Sequence, residues 1–154
     1  MLKQNKHIFY SLFLFVFLFF VDFITKNIAS NNIKHGFNNG VEIFSFFKLT
    51  YVHNYGAAFS FLSNQDIGKY LFILFGIFFS VYALFRIFKS KSIVEKYTLS
   101  IILSGALGNL YDRVFYGYVI DFIDFDFGFY NFPVFNFADV FIFLGLFIFV
   151  FVKK

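Results

Sequence analysis

The sequence predicts a mostly α-helical membrane protein, a bundle of four transmembrane helices with short β-strands outside the bilayer. Three observations carry that expectation. First, 60% of the 154 residues are hydrophobic and only 14% are charged, whereas a soluble domain is nearer 45–50% apolar with about 25% charged. Second, the apolar residues gather into four runs separated by polar segments. Third, the basic residues cluster in alternate connections, as the positive-inside rule requires. A chain of this length reads as a single domain, residues 1–154, with no internal repeat and no linker.

The first span is expected over about residues 7–25, where Ser11 and Asp22 alone interrupt the apolar run Ile8–Ile24. It approaches the ~20 helical residues that cross a hydrocarbon core. No A-x-A cleavage site follows, and further apolar runs do, so a secretory signal peptide is the weaker reading. The second span is expected over about 69–88. The third covers about 95–110 and ends in Ser104, Gly105, Ala106 and Gly108, small residues that let helices approach closely in lipid. The fourth covers about 137–152 and is closed by Lys153 and Lys154.

Charge then orients the bundle. The N-terminus, the 86–96 connection and the C-terminus carry Lys3, Lys6, Arg86, Lys89, Lys91, Lys96, Lys153 and Lys154 against Glu95 alone, a net of +7. The other side sets five basic residues against eight acidic ones, a net of −3. Both termini are therefore expected in the cytoplasm, and segments 27–68 and 111–136 outside. Within 27–68, Asn38-Asn39-Gly40 signals a turn. Glu42–Phe46 alternates and Phe47–Val52 is rich in β-formers, so short strands are expected there.

Composition also excludes. There is no cysteine, which removes disulfides, thiolate metal sites and a cysteine nucleophile. His7, His35 and His53 are not spaced as a metal-binding pair on one helix face. No metal and no cofactor is expected, and no nucleic acid as partner. The 32 phenylalanines read most simply as a compositional bias and assign no function.

Polar residues concentrate at the outer ends of the spans, where ionisable groups near lipid are functional suspects. Each has a structural reading as well. Asp22 and Lys26 are i and i+4 on a helix end and can pair. Asn54 and Gly56 suit a turn. Asp112 and Arg113 suit a surface or interfacial ion pair. Asp124 and Asp126 suit a solvated loop. Asn136 suits an N-cap, with Asp139 favouring the helix dipole. The constellation says more than its members. Asp121 and Asp139 both fall at the outer mouth, and two adjacent carboxyls share a proton because both cannot ionise cheaply. One then serves as base towards water and the other as acid towards a carbonyl, which is peptide hydrolysis without metal, serine or cysteine.

Five stretches occur in order over residues 22–145: Asp22-Phe23-Ile24-Thr25-Lys26, Asn54-Tyr55-Gly56-Ala57-Ala58-Phe59-Ser60, Gly105–Val114 containing Asn109-Leu110-Tyr111-Asp112-Arg113, Gly117–Phe122 containing Asp121, and Phe135-Asn136-Phe137-Ala138-Asp139 with Gly145. In these the chain resembles lipoprotein signal peptidase, the type II signal peptidase of bacteria. The resemblance implies an aspartic endopeptidase of the bacterial inner membrane. Its substrates are lipid-modified prolipoproteins, cut just before a diacylglyceryl-cysteine. The dyad matches Asp121 and Asp139. Asn54, Asn109, Arg113 and Asn136 match the polar residues around it, and Asp22 matches a further motif residue. Segment 27–68 is then a small extracytoplasmic β-cradle on the membrane, and part of 123–135 a flap over the site. The Phe/Asp repetition of 124–131 departs from the family's pattern. A monomer surrounded by membrane lipid is expected. A transporter or channel subunit and a non-catalytic scaffold are the competing classes, and a Ser-Lys peptidase a further one. Acids crowded at one end argue against the first, and two acids beside Asn and Arg at one mouth against the second. No lysine lies inside a span on the Asp-rich side, which disfavours the last.

Overall fold

The structure, a computed structural model, describes residues 2–56 and 65–152, with only the backbone given for 2–4 and 65–67. The stretch Ala57-Ala58-Phe59-Ser60 and the closing Lys153 and Lys154 lie outside the described residues. The chain forms α1 (Leu2–Asn32), a short 3₁₀ turn (Phe37–Asn39), β1 (Val41–Phe44), β2 (Phe47–Asn54), α2 (Gln65–Lys89), α3 (Ile93–Phe115), β3 (Val119–Phe125) and α4 (Phe137–Phe151).

Consecutive helices alternate in direction. The start of α1 meets the start of α3 where His7 and Tyr97 interact at 3.5 Å. The end of α2 meets the same level of α3 where Arg86 pairs with Glu95. At the opposite end, late α1, late α3 and early α4 converge, as Lys26, Asn109 and Asp139 show below. Helix α3 packs against each of the other three, while α1 barely touches α2.

That central place explains the composition of α3. Ser100, Ser104, Gly105 and Gly108 are buried or half-buried on it. A Cβ at Gly105 would run into the Ala138 carbonyl of α4, one at Gly108 into the Asp22 carboxylate of α1, and one at Gly145 of α4 into Ile102 of α3. Three glycines thus set how closely α1, α3 and α4 approach. A second contact layer, Ala83 and Ile87 of α2 against Leu99 and Leu103 of α3, closes the α2 side.

The helices face outward with Phe13, Phe17, Phe75, Phe78, Phe143 and Phe147, all exposed. An apolar exterior with polar groups buried inside the ends of the bundle is the pattern of a protein dissolved in lipid. Two helical stretches, Asn5–Asn32 and Gly68–Lys89, are long and apolar enough to cross a membrane. Helix α4 is apolar but only 15 residues long, and α3 is too polar along its buried side to qualify by composition.

Helix boundaries differ from the sequence reading at the outer end. Helix α1 runs to Asn32 and α3 to Phe115, so both helices continue past the ends of the expected spans. The extra turns of α1 are held by tertiary packing: Ala29, and Ile33 just past the helix end, are buried against Phe122 and Ile123 of β3. The expected strands are present as β1 and β2, and β3 joins them in an antiparallel sheet of order β1-β2-β3. The register pairs Val52 with Asp121 and Asn54 with Val119, which brings the end of β2 to the mouth of the bundle.

Candidate active site

Eight polar residues from five elements form one hydrogen-bonded network at this mouth. It begins at Lys26, whose ammonium is 2% exposed and lies 2.8 Å from Asp22 Oδ2 and 2.9 Å from Asp112 Oδ2. Its Nζ also donates to Asn109 Oδ1 at 2.9 Å. Asp22 Oδ1 in turn accepts from the backbone N–H of Ala138 at 2.8 Å. One cation therefore ties α1 to α3, and its partner ties α1 to the first turn of α4.

The network leaves each amide side chain one orientation, because an amide has one accepting and one donating end. Asn109 Oδ1 receives Lys26 and Asn136 Nδ2, so Asn109 Nδ2 points to Asp139 Oδ1, at 2.8 Å. Asn136 Oδ1 caps α4 by accepting from the Asp139 N–H at 2.9 Å, so its Nδ2 points to Asp121 Oδ1, at 2.7 Å. Asn54 Oδ1 accepts from the Gly56 N–H, so its Nδ2 points to Asp121 Oδ2, at 2.8 Å. All three amides present N–H groups to the two carboxyls.

Asp121 and Asp139 are thus held by opposite ends of one residue, Asn136. The capping role read from sequence is present too: Asp139 Oδ2 accepts from the Asn136 N–H at 3.3 Å, completing a capping box. Structural and site roles coincide in the same side chain, one oxygen for each. Asp121 is 1% exposed. Burial, reinforced by repulsion from Asp139, pushes its carboxyl up to about 7, against the opposing pull of Asn54, Asn136 and Lys26. It opens onto a cavity of about 750 Å³ walled by Lys48, Val52, His53 and Asn54 of β2, by Asp124 and Asp126, and by Asn131–Val134.

The remaining sequence-level assignments are placed as follows. Asp112 does not pair with Arg113. It is buried, pairs with Lys26 and accepts from the Ile120 N–H at 3.1 Å, because neighbouring residues on a helix diverge by about 100°. Arg113 donates to the Asn109 carbonyl at 3.2 Å and lies over the Phe72 ring at 4.9 Å, and it makes no ion pair with either Asp121 or Asp139. Asp124 and Asp126 are half-buried rather than freely solvated: Thr50 donates to Asp124 at 2.8 Å, and Lys48 lies 3.8 Å from Asp126. Lys26 and Asp112 were the site members missed from sequence. A lysine near the outer end of an apolar span, on the side with a net negative charge, was the signal for the first. No group of three or more His, Cys, Asp or Glu side chains suited to a metal is present among the described residues.

A family model described as signal peptidase (SPase) II matches residues 14–153. A lipoprotein signal peptidase of Vibrio parahaemolyticus is 44% identical over 138 residues, covering 87% of this chain and 81% of that protein. One of Wigglesworthia glossinidia brevipalpis is 39% identical, covering 89% of each. Among solved structures, a bacterial membrane enzyme determined by the in meso method at 1.9 Å is similar with a TM-score of 0.81 and 30% identity, over 93% of this chain and 91% of that one.

Lys26→Met leaves two buried carboxylates without their cation and frees Asn109 to turn. Breaking a buried pair by removing one partner costs about 3–5 kcal/mol. The expected outcome is a loss of stability of that order in detergent micelles, measured by denaturant unfolding, against a small change for Lys48→Met, whose 3.8 Å pair is more than one-third exposed.

Proposed function

The chain belongs to the signal peptidase II family, the membrane proteases that remove the signal peptides of prolipoproteins, and from that premise we propose that Asp121 and Asp139 are its catalytic pair. The observation that carries the assignment is that both carboxyls accept from Asn136 at the mouth of the bundle, Asp121 from its side-chain amide and Asp139 from its backbone N–H. The pair shares one proton near neutral pH, and burial and the charged neighbour raise the Asp121 carboxyl, so the steps are written with Asp121 as the acid. Asp139 takes a proton from water as its oxygen attacks the scissile carbonyl carbon. Asp121 gives its proton to the developing oxyanion. Asp139 then gives its proton to the departing amine while Asp121 takes back the proton of the gem-diol hydroxyl, and the C–N bond breaks to leave the acid and the dyad as it began.

Asn54, Asn109 and Asn136 hold the carboxyls in register, and Asp22 and Lys26 hold Asn109 and the start of α4. Arg113 acts at longer range through its charge on Asp139 and Asp121. The substrate is cut before the cysteine carrying the diacylglyceryl group. Acyl chains remaining in the bilayer bring that bond to the outer mouth, at about 0.8 kcal/mol of partitioning per buried CH₂.

The chain is one peptidase domain over residues 1–154 that crosses the bacterial inner membrane four times as a monomer. Both termini are cytoplasmic, and the dyad lies at the outer face. The alternating direction of α1 to α4 and the charge split support this arrangement. Helix α4, about 22 Å long at 1.5 Å per residue, spans a locally thin stretch of the ~30 Å core.

Three outcomes are expected. Asp121→Asn and Asp139→Asn each lower cleavage of a lipidated prolipoprotein by at least about 10²–10⁴-fold while the protein still inserts, and Asp124→Asn and Asp126→Asn retain most activity. Full cleavage by either dyad variant removes the assignment. Second, loss of the Asp121 proton above pH 7 leaves two carboxylates and no acid, so cleavage falls on the alkaline side by about tenfold per unit. A profile flat from pH 6 to 9 contradicts the shared proton. Third, a reporter inserted at Asn38 reads as external and one inserted after Lys91 as cytoplasmic. The reverse result overturns the topology.

A further inference from the structure

Two of the three histidines, far apart in the sequence, meet on the sheet side of the mouth. His35 follows α1, and His53 stands in β2 next to Asn54. Their ring centroids are 4.1 Å apart. His53 also stacks on Tyr118, the residue before β3, at 3.7 Å. Tyr51 completes the group, with its hydroxyl 2.8 Å from His53 Nε2. Burial and a hydrogen bond with Tyr118 hold Tyr51 well above its ordinary range, so it stays a neutral phenol. The backbone is joined at the same place: His35 bridges to Tyr51, and the Gly36 N–H donates to the Tyr51 carbonyl at 2.9 Å. His35 is exposed, and His53 is half-buried on the wall of the cavity beside Asp121.

This ring stack stands at the last rung of the β2–β3 ladder. That rung pairs Asn54 with Val119. His53 precedes one member of it and Tyr118 the other, so the two stacked rings join the strands beside the rung. Past Asn54 the ladder ends, and the chain turns at Gly56, whose φ is +94°. The end of a ladder opens more readily than its interior. Opening here draws Asn54 Nδ2 away from Asp121 Oδ2, its partner at 2.8 Å. The stack opposes that opening, and the bridge from His35 to Tyr51 anchors the stack to the segment leaving α1.

Resting on the catalytic reading of Asp121 above, we propose that His53, packed against His35 and Tyr118, is a positioning residue that keeps Asn54 on Asp121, and that it lets go when both imidazoles are protonated. One imidazolium against Tyr118 is tolerated, as a cation over an aromatic face. Two in contact repel each other. Among the described residues, the rings around His53 are those of His35, Tyr51, Tyr55 and Tyr118. The charged groups on the same cavity wall are Lys48, Asp121, Asp124 and Asp126, and Lys34 flanks His35 in the chain. The acids favour a proton on His53, but burial and, after it, His35 prevail and lower its pKa. The closed stack therefore favours a neutral His53. Its hold is complete above the ordinary value of 6.5 and is lost as pH falls from there through the lowered value.

The test compares the full chain with its His35→Phe, His53→Phe and His53→Ala variants. Cleavage of a lipidated prolipoprotein is measured at about pH 7 and about pH 5, and the ratio of kcat/KM at the two is taken within each protein, so that a general loss of activity cancels. The phenylalanines keep a ring in the stack and remove its charge. The expected ratio of acid to neutral activity is at least about threefold higher in both than in the wild type. His53→Ala removes the ring and lowers kcat at neutral pH by at least about tenfold with little change in KM, and His53→Phe recovers most of that loss. A His35→Phe ratio equal to that of the wild type overturns the acid release. A wild-type kcat in His53→Ala overturns the positioning role. Histidine ring-proton NMR in micelles gives a reading that needs no cleavage. The His53 signal, identified by its loss in His53→Phe, titrates below the ordinary value in the wild type and moves up in His35→Phe. An unmoved titration overturns the coupling of the two rings. The alkaline fall belongs to Asp121 and the acid fall to the histidines, so failure of either is visible apart from the other.

Discussion

Everything at the mouth of the bundle hangs from one buried ammonium. Lys26 stands between Asp22 and Asp112 and still has a hydrogen bond to give Asn109. Removing three charges from water costs several kcal/mol per ion, which excellent geometry offsets only while all partners are present. The cluster is therefore better understood as a constraint than as a source of stability. It joins α1 to α3, it secures the first turn of α4 through Asp22 and the Ala138 N–H, and it decides which end of Asn109 faces Asp139.

That last decision propagates. An asparagine is ambiguous until something occupies its oxygen. Lys26 occupies that of Asn109, the helix cap occupies that of Asn136, and the turn at Gly56 occupies that of Asn54. The donors left over converge on the two aspartates. Their pull favours ionised carboxyls, yet burial and mutual repulsion outweigh it at Asp121. A carboxyl kept near neutrality between two amide donors can hold a proton near neutral pH and release it.

The solvent explains the rest of the layout. In lipid no hydrophobic force draws helices together, so α3 meets its neighbours through glycine and serine while phenylalanine covers the outside. The phenylalanine excess, without meaning as composition, acquires one by position: the rings cover the outside of the helices. The linked carboxyl and amide cluster lies at one end, where water can reach the cavity beside Asp121.

The sequence by itself determined the solvent, four helices and two of the three strands, and it singled out Asp121, Asp139 and the three asparagines that the structure brings together, because apolar runs, charge bias, capping residues and motif order can be read along the chain. Tertiary structure decided the partners. Lys26 and Asn109 are 83 positions apart, and no periodicity connects them. Asp112 looked paired with its neighbour Arg113, but the helix turns adjacent side chains away from each other and delivered Asp112 to Lys26. The last turns of α1 form because β3 covers them, and β3 in turn pairs with a strand some 70 residues earlier. Contacts of that range are set by packing in three dimensions, and they alone turned a row of polar residues into an oriented pair of carboxyls.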